Sequence, residues 1–238
     1  MGWPQRIDSL IRFFLYTLIF WLPYSPAVVE HCIIISFVLL VIKRCVFVRS
    51  FGLPKTRINR PVLLFLIACI FSVVGSPFLE DSAYRFITKT FEWFVVFYLV
   101  VEVFNTKKQI YIFLTVFLVT SAATALDAIV QFYVTFKDIF YGRPIGPYSR
   151  STAAFKSPNG LGAYLAMAVP VLFSLQFDLF KAAWKKLGVL IIFFLSVWAL
   201  FLTNSRGAWI GSFIGICVCL FTLTGLKKNE IFGYLRWP

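Results

Sequence analysis

With 238 residues, 60% hydrophobic and only 14% charged, the chain is too apolar for a soluble domain, which carries about 25% charged residues. Its mean hydropathy of +0.85 and its 29 phenylalanines suit helices that face lipid, with aromatic belts at the interfaces. A net charge of +13 would suggest nucleic acid in a soluble protein. In a multi-pass membrane protein it reads as orientation, because Lys and Arg hold loops in the cytoplasm, and nucleic acid drops out as a partner.

A spanning helix needs about 20 apolar residues. Leu10–Val28 is the first predicted span, and Val29–Ile42 a short second one. Arg6 and Arg12 before an apolar run resemble a signal peptide, but no A-x-A site follows, so an uncleaved first helix is predicted. Lys43 to Arg60 holds six basic residues and no acid, which marks it as cytoplasmic. Pro61–Ser76 then runs outward, Pro77–Lys89 is an outer loop, and Thr90–Phe104 returns. Lys107 and Lys108 lie inside, Ile110–Val134 runs out, and Thr135–Ser157 is a longer outer loop. Pro158–Phe177 returns to an inner segment with Lys181, Lys185 and Lys186. Leu187–Thr203 runs out, Asn204–Arg206 is a tight outer turn, and Gly207–Leu226 returns to a basic tail.

The expected fold is therefore all-α: one polytopic transmembrane bundle over residues 1–238, with about eight spans and both termini cytoplasmic. Of the 23 Lys and Arg residues, most fall inside. Arg85, Lys89, Lys137, Arg143, Arg150, Lys156 and Arg206 fall outside, against the orientation rule. Neither the five cysteines, none in a CxxC pair, nor the single histidine, His31, makes a zinc site. No metal and no cofactor is expected.

The outer basic residues carry the candidate chemistry. Arg206 sits in a very short turn between apolar runs, where a charge near the membrane is a functional hypothesis. Its planar fork suits phosphate oxygens. Two readings of Arg206 stand open on spacing alone: a ligand contact, or snorkelling to lipid phosphate. Ser157 and Pro158 read as the N-cap and first residue of a helix. The free N–H groups of that first turn, beside Asn159, make an anion site, with Arg150 and Lys156 just before it. Gly207, Gly211 and Gly215 recur at every fourth position, a spacing that favours close helix packing. Asp127, with Gln131 one turn on, either pairs with an outer arginine or packs between helices. Glu92 is a carboxylate with nothing to position it.

Two ordered motifs carry a resemblance. Arg150-Ser-Thr-Ala-Ala-Phe-Lys-Ser-Pro158-Asn159-Gly-Leu-Gly-Ala-Tyr-Leu165 and, downstream, Thr203-Asn204-Ser205-Arg206-Gly207 resemble the signature segments of the O-antigen ligase and polymerase family. Ala153 stands where that family usually has glycine. The resemblance implies a metal-independent, inverting glycosyltransferase of the bacterial cytoplasmic membrane. Such an enzyme moves a glycan from undecaprenyl pyrophosphate, on the outer face, to an acceptor. It implies Arg206 as the pyrophosphate contact, with Arg150 in the same role and Arg143 and Lys156 beside them. Ser157, Pro158, Asn159, Ser205 and Gly207 then shape the motifs. The family also carries a large outer loop with a catalytic histidine beyond these spans. The chain reaches Pro238 without one and His31 does not match it, so it reads as the N-terminal part of such an enzyme. The alternative is a non-catalytic polyprenyl-glycan carrier or binding subunit. Its expected partners are membrane lipids and a second polypeptide or further copies of the chain.

Overall fold

The computed structural model describes residues 2–48, 54, 56, 58–178 and 182–225. The sidedness assigned to Arg49, Lys55, Arg57, Lys181, Lys227, Lys228 and Arg236 concerns positions outside the described residues. Among those described the secondary structure is helical, with two isolated β-bridges and no strand. The chain divides into two compact units, residues 1–113 and 114–238.

Among its described residues the first unit holds five α-helices and the start of a sixth. Helix α1, Trp3–Trp21, begins seven residues before the predicted span because Pro4 opens it. It carries Arg6, Asp8 and Arg12 on its turns and buries Ile7, Ile11, Leu15 and Leu18. Helix α2, Pro26–Ile42, starts three residues earlier than expected. Ser25 is its N-cap, accepting from Val28 N–H, and Pro26 is its first residue. The predicted boundary at residues 28 and 29 is thus corrected to the Leu22–Ser25 break. Helix α2 continues as π-helical turns, Lys43–Val48. Helices α3, Asn59–Val74, and α5, Glu92–Val103, match the third and fourth predicted spans closely.

The loop expected at Pro77–Lys89 is mostly helical. It forms α4, Leu79–Arg85, then π-helical turns over Phe86–Phe91. Glu80 and Asp81 in the first turn and Arg85 in the last compensate the helix dipole, a signal that apolar span counting passes over. Lys43 and Arg44, expected in a loop, lie on helical backbone and form ion pairs. Lys43 Nζ is 2.7 Å from Asp8 and 3.1 Å from Glu102, and Arg44 Nη2 is 2.8 Å from Glu102. With the buried apolar residues of α1, α2 and α5, this cluster fixes the three helices together.

Helix α6, Lys107–Val130, leads into the second unit and ends in π-helical turns, Gln131–Thr135. There follow α7, Pro158–Asp178, α8, Ala183–Leu202, and α9, Arg206–Gly225. Helix α7 packs on both α8 and α9, which touch each other little. It buries Leu161, Leu165, Ala168, Val169 and Leu172.

Helix α6 has its polarity inverted relative to a soluble helix. Thr120, Ser121, Thr124, Asp127 and Gln131 are buried, while Val119 and Leu126 are about half exposed. In α9 the apolar window is only 11% buried. Apolar outside and hydroxyl-bearing inside is the arrangement that lipid selects. Among the described residues, five helices are long and apolar enough to cross a membrane: Pro26–Phe47, Lys107–Thr135, Pro158–Phe177, Ala183–Leu202 and Arg206–Leu223. Helix α3 is apolar and shorter. The protein is a helical membrane protein.

The glycine spacing in α9 is used once. A Cβ on Gly215 would stand 2.5 Å from the ring of Pro170, so α7 and α9 meet there with no room for a side chain. Gly207 and Gly211 face open space, which corrects the expectation that all three lie in one packing seam. Gly215→Ala is therefore expected to destabilise the protein by about 1–3 kcal/mol through overpacking. Gly211→Ala is expected to leave stability unchanged or raise it by up to about 1 kcal/mol. Thermal unfolding of the two variants in detergent checks this, and equal melting temperatures would contradict the packing described.

Candidate functional site

The two sequence motifs meet at the end of the second unit where α7 and α9 begin. The cause is the end of α8. A helix leaves its last four carbonyls without intrahelical donors, and each here finds one. Leu200 O accepts from Thr203 N–H, from the Thr203 hydroxyl at 2.7 Å and from Trp209 Nε1 at 3.1 Å. Phe201 O accepts from Asn204 N–H, and Leu202 O from Ser151 N–H, both at 3.0 Å. Thr203 O accepts from Arg150 Nε at 2.7 Å. Asn204 turns the chain with φ +48°, a conformation asparagine tolerates better than most residues.

Arg150 also reaches forward. Its Nη2 donates to Asn159 Oδ1 at 2.9 Å. One guanidinium thus caps α8 and holds the first turn of α7. Ser157 caps α7 as expected, its Oγ accepting from Gly160 N–H at 3.1 Å, with Pro158 as the first helical residue. Helices α7 and α9 then touch, for a Cβ on Gly162 would stand 2.9 Å from Cβ of Ser205 and 3.1 Å from that of Ala208. Two helix N-termini, each equivalent to about half a positive charge, are placed side by side.

Arg206 is the first residue of α9 rather than part of the turn. Its side chain is exposed, with no hydrogen bond or ion pair among the described residues. The first-turn N–H groups of Arg206, Gly207 and Ala208 take no acceptor there either. Gly207 leaves the approach to them open. Lys156 is exposed one residue before the α7 cap. Arg143 lies differently: its Nη1 donates to Ala154 O at 2.9 Å and its guanidinium covers the Tyr141 ring at 4.2 Å. It braces the loop, and its fork is partly engaged.

The loop between α6 and α7 hangs from Gln131. Gln131 is fully buried, and its Oε1 accepts from Ser151 Oγ, Thr152 N–H and Ala153 N–H, each at 2.9 Å. Its Nε2 donates to Thr152 Oγ1 at 3.0 Å and toward Arg143 O at 3.4 Å. Ser151 Oγ also lies 3.0 Å from Ala128 O at the end of α6. This amide sets Arg150 in place, though the sequence marked it only as a neighbour of Asp127. A glutamine inside an apolar run was the available signal, since a buried amide must find partners.

Asp127 does not meet an arginine. Its Oδ1 accepts from Ile139 N–H at 2.7 Å, and its Oδ2 is buried without a partner. Asp138 accepts from Tyr141 N–H at 2.6 Å and Arg143 N–H at 2.7 Å. Both carboxylates shape the loop. His31 is in the other unit, its Nδ1–H donating to Ala27 O at 2.7 Å. Among the described residues no three metal-ligating side chains come together. The arrangement supplies backbone N–H groups, two helix dipoles and free guanidinium N–H groups, which together bind an anion.

Ala153 has φ +45° and is fully buried. An L-residue in that region costs roughly 1–2 kcal/mol, which glycine avoids. Ala153→Gly is expected to keep stability or raise it by about 1 kcal/mol. Gln131→Leu strands the two buried N–H groups of Thr152 and Ala153, each at about 1–3 kcal/mol, and is expected to lower the melting temperature strongly. Gln131→Glu keeps the acceptor and is expected to lose less. A leucine variant that melts with the unsubstituted protein would contradict this role.

Comparison of the chain with protein-family models, with curated proteins and with solved structures finds no match.

Proposed function

We propose that this protein binds the pyrophosphate of undecaprenyl-pyrophosphate-linked glycan at the paired N-termini of α7 and α9, on the outer face of the bacterial cytoplasmic membrane. The reading continues as a glycan transferase of the O-antigen ligase type. One observation carries it: Arg150 joins the Pro158-Asn159 turn to the Thr203-Asn204-Ser205-Arg206 turn, so the two resembling motifs make one site. Of the basic residues that break the orientation rule, Arg143, Arg150, Lys156 and Arg206 lie on the segments that build it.

The chemistry suits this assignment. Displacing a sugar from pyrophosphate places negative charge on the leaving group. Fixed N–H groups and guanidinium forks stabilise that charge where water is scarce. Arg206 supplies the freest fork, since Arg150 already directs two N–H groups to Thr203 and Asn159. The acceptor hydroxyl needs a base. Asp127 and Asp138 hold backbone N–H groups inside the loop, and the described part of the site offers no histidine. This favours a second reading: a binding or carrier subunit whose partner polypeptide, or a further copy of the chain, completes the transfer.

Arg206→Gln removes charge-assisted bonds and is expected to weaken binding of undecaprenyl pyrophosphate about 10- to 100-fold with an unchanged melting temperature. Arg150→Gln is expected to reduce both affinity and melting temperature. Arg57→Ala is expected to change neither. Titration of the lipid into protein held in nanodiscs measures these affinities, and equal losses from Arg206→Gln and Arg57→Ala would reduce the effect to membrane electrostatics.

A further inference from the structure

The first unit contains an open cleft of about 730 Å³ between α3 and the α4–π segment, within the size range of small-molecule sites. Its walls mix polar side chains with Val73 and Phe86. Cys69 and Ser72 lie on α3 and Ser76 just after it, with Ser82, Arg85 and Lys89 at helical spacing opposite; Ser82 Oγ donates to Ser76 Oγ at 2.7 Å. No acid lines it. Arg85 has no hydrogen bond or ion pair among the described residues. Lys89 pairs with Glu30 at 3.5 Å, with side chains 64% and 48% exposed, a pair worth little, and interacts electrostatically with Glu92 on the next turn. Glu80 and Asp81 lie one turn earlier on α4 and do not line the cleft.

Around this cleft the segments present Phe71, Phe78, Tyr84 and Ile87 outward, each more than 60% exposed. Such a surface belongs in lipid. An unpartnered Arg85, a weakly paired Lys89 and several hydroxyls at the mouth of a cleft in a lipid-facing surface suit an occupant that is anionic, accepts hydrogen bonds and carries apolar tails. We propose that this cleft binds the phosphate headgroup of an anionic membrane phospholipid. Arg85 and Lys89 hold the phosphate, the serine hydroxyls hold the headgroup, and the acyl chains lie over the outward aromatic residues. The site lies in the first unit and does not depend on the function proposed for the second.

Cys69 is a free thiol in the wall of the cleft and reports its occupancy. Full-length protein is placed in micelles doped with phosphatidylglycerol, or with phosphatidylcholine of the same chains. Alkylation of Cys69 by a maleimide is followed by peptide mass spectrometry. Phosphatidylglycerol is expected to slow alkylation at least fivefold, and phosphatidylcholine and soluble glycerol 3-phosphate less than twofold. The R85Q/K89Q protein is expected to lose the protection, R85K/K89R to keep it, and Lys137→Gln, in the second unit, to behave as the unsubstituted protein. Equal protection by both lipids, or protection that survives R85Q/K89Q, would overturn the proposal. Protection by glycerol 3-phosphate as strong as by the lipid would overturn the assignment to a lipid.

Discussion

Helix α8 ends in an apolar setting, where its four terminal carbonyls have little water to turn to. Each unpaired polar group there would cost several kcal/mol. The chain brings donors to them: Ser151 N–H to Leu202 O and Arg150 Nε to Thr203 O, with Thr203, Asn204 and Trp209 serving the rest. That requirement draws the loop after α6 against the end of α8. Once Arg150 is there, its second nitrogen reaches Asn159, and the N-termini of α7 and α9 become neighbours. The candidate anion site follows from satisfying a helix end.

Gln131 makes the arrangement persist. Its single carbonyl gathers three donors from Ser151, Thr152 and Ala153, and the π-helical turns that start at Gln131 aim the amide into the loop. Such turns recur at functional sites. The left-handed conformation of the buried Ala153 shows that the loop holds some strain, and a fully bonded network is what sustains it.

The parts of this fold governed by short-range chemistry were legible in the sequence. The Ser157-Pro158 helix start and the Asn204 turn depend on capping and backbone preferences within four residues. The apolar runs marked the helices, and the break before Pro26 was misplaced by three residues because hydropathy is blind to caps. The amphipathic α4 was missed for the converse reason: its dipole-matched charges form a helix without an apolar run. Pairings across the chain left weaker traces. Lys43 and Arg44 counted as loop charges, although Glu102, nearly sixty residues away, is their partner. Asp127 suggested an arginine and found a backbone N–H of its own loop. The glycine repeat overstated the contact of α9, since only Gly215 meets another helix closely. Arg206, assigned to the turn by its spacing, instead opens α9, and its freedom from partners emerged only from the three-dimensional arrangement.

The central claim is that a lipid-linked diphosphate is held where α7 and α9 begin. Photo-crosslinking of the protein with a polyprenyl pyrophosphate bearing a photoreactive group next to the diphosphate tests it directly, with attachment sites mapped by peptide mass spectrometry. Adducts are expected to concentrate within residues 150–162 and 203–211 and to be suppressed by excess unlabelled lipid. Adducts spread evenly over the exposed apolar faces, or absent from both segments, would contradict it.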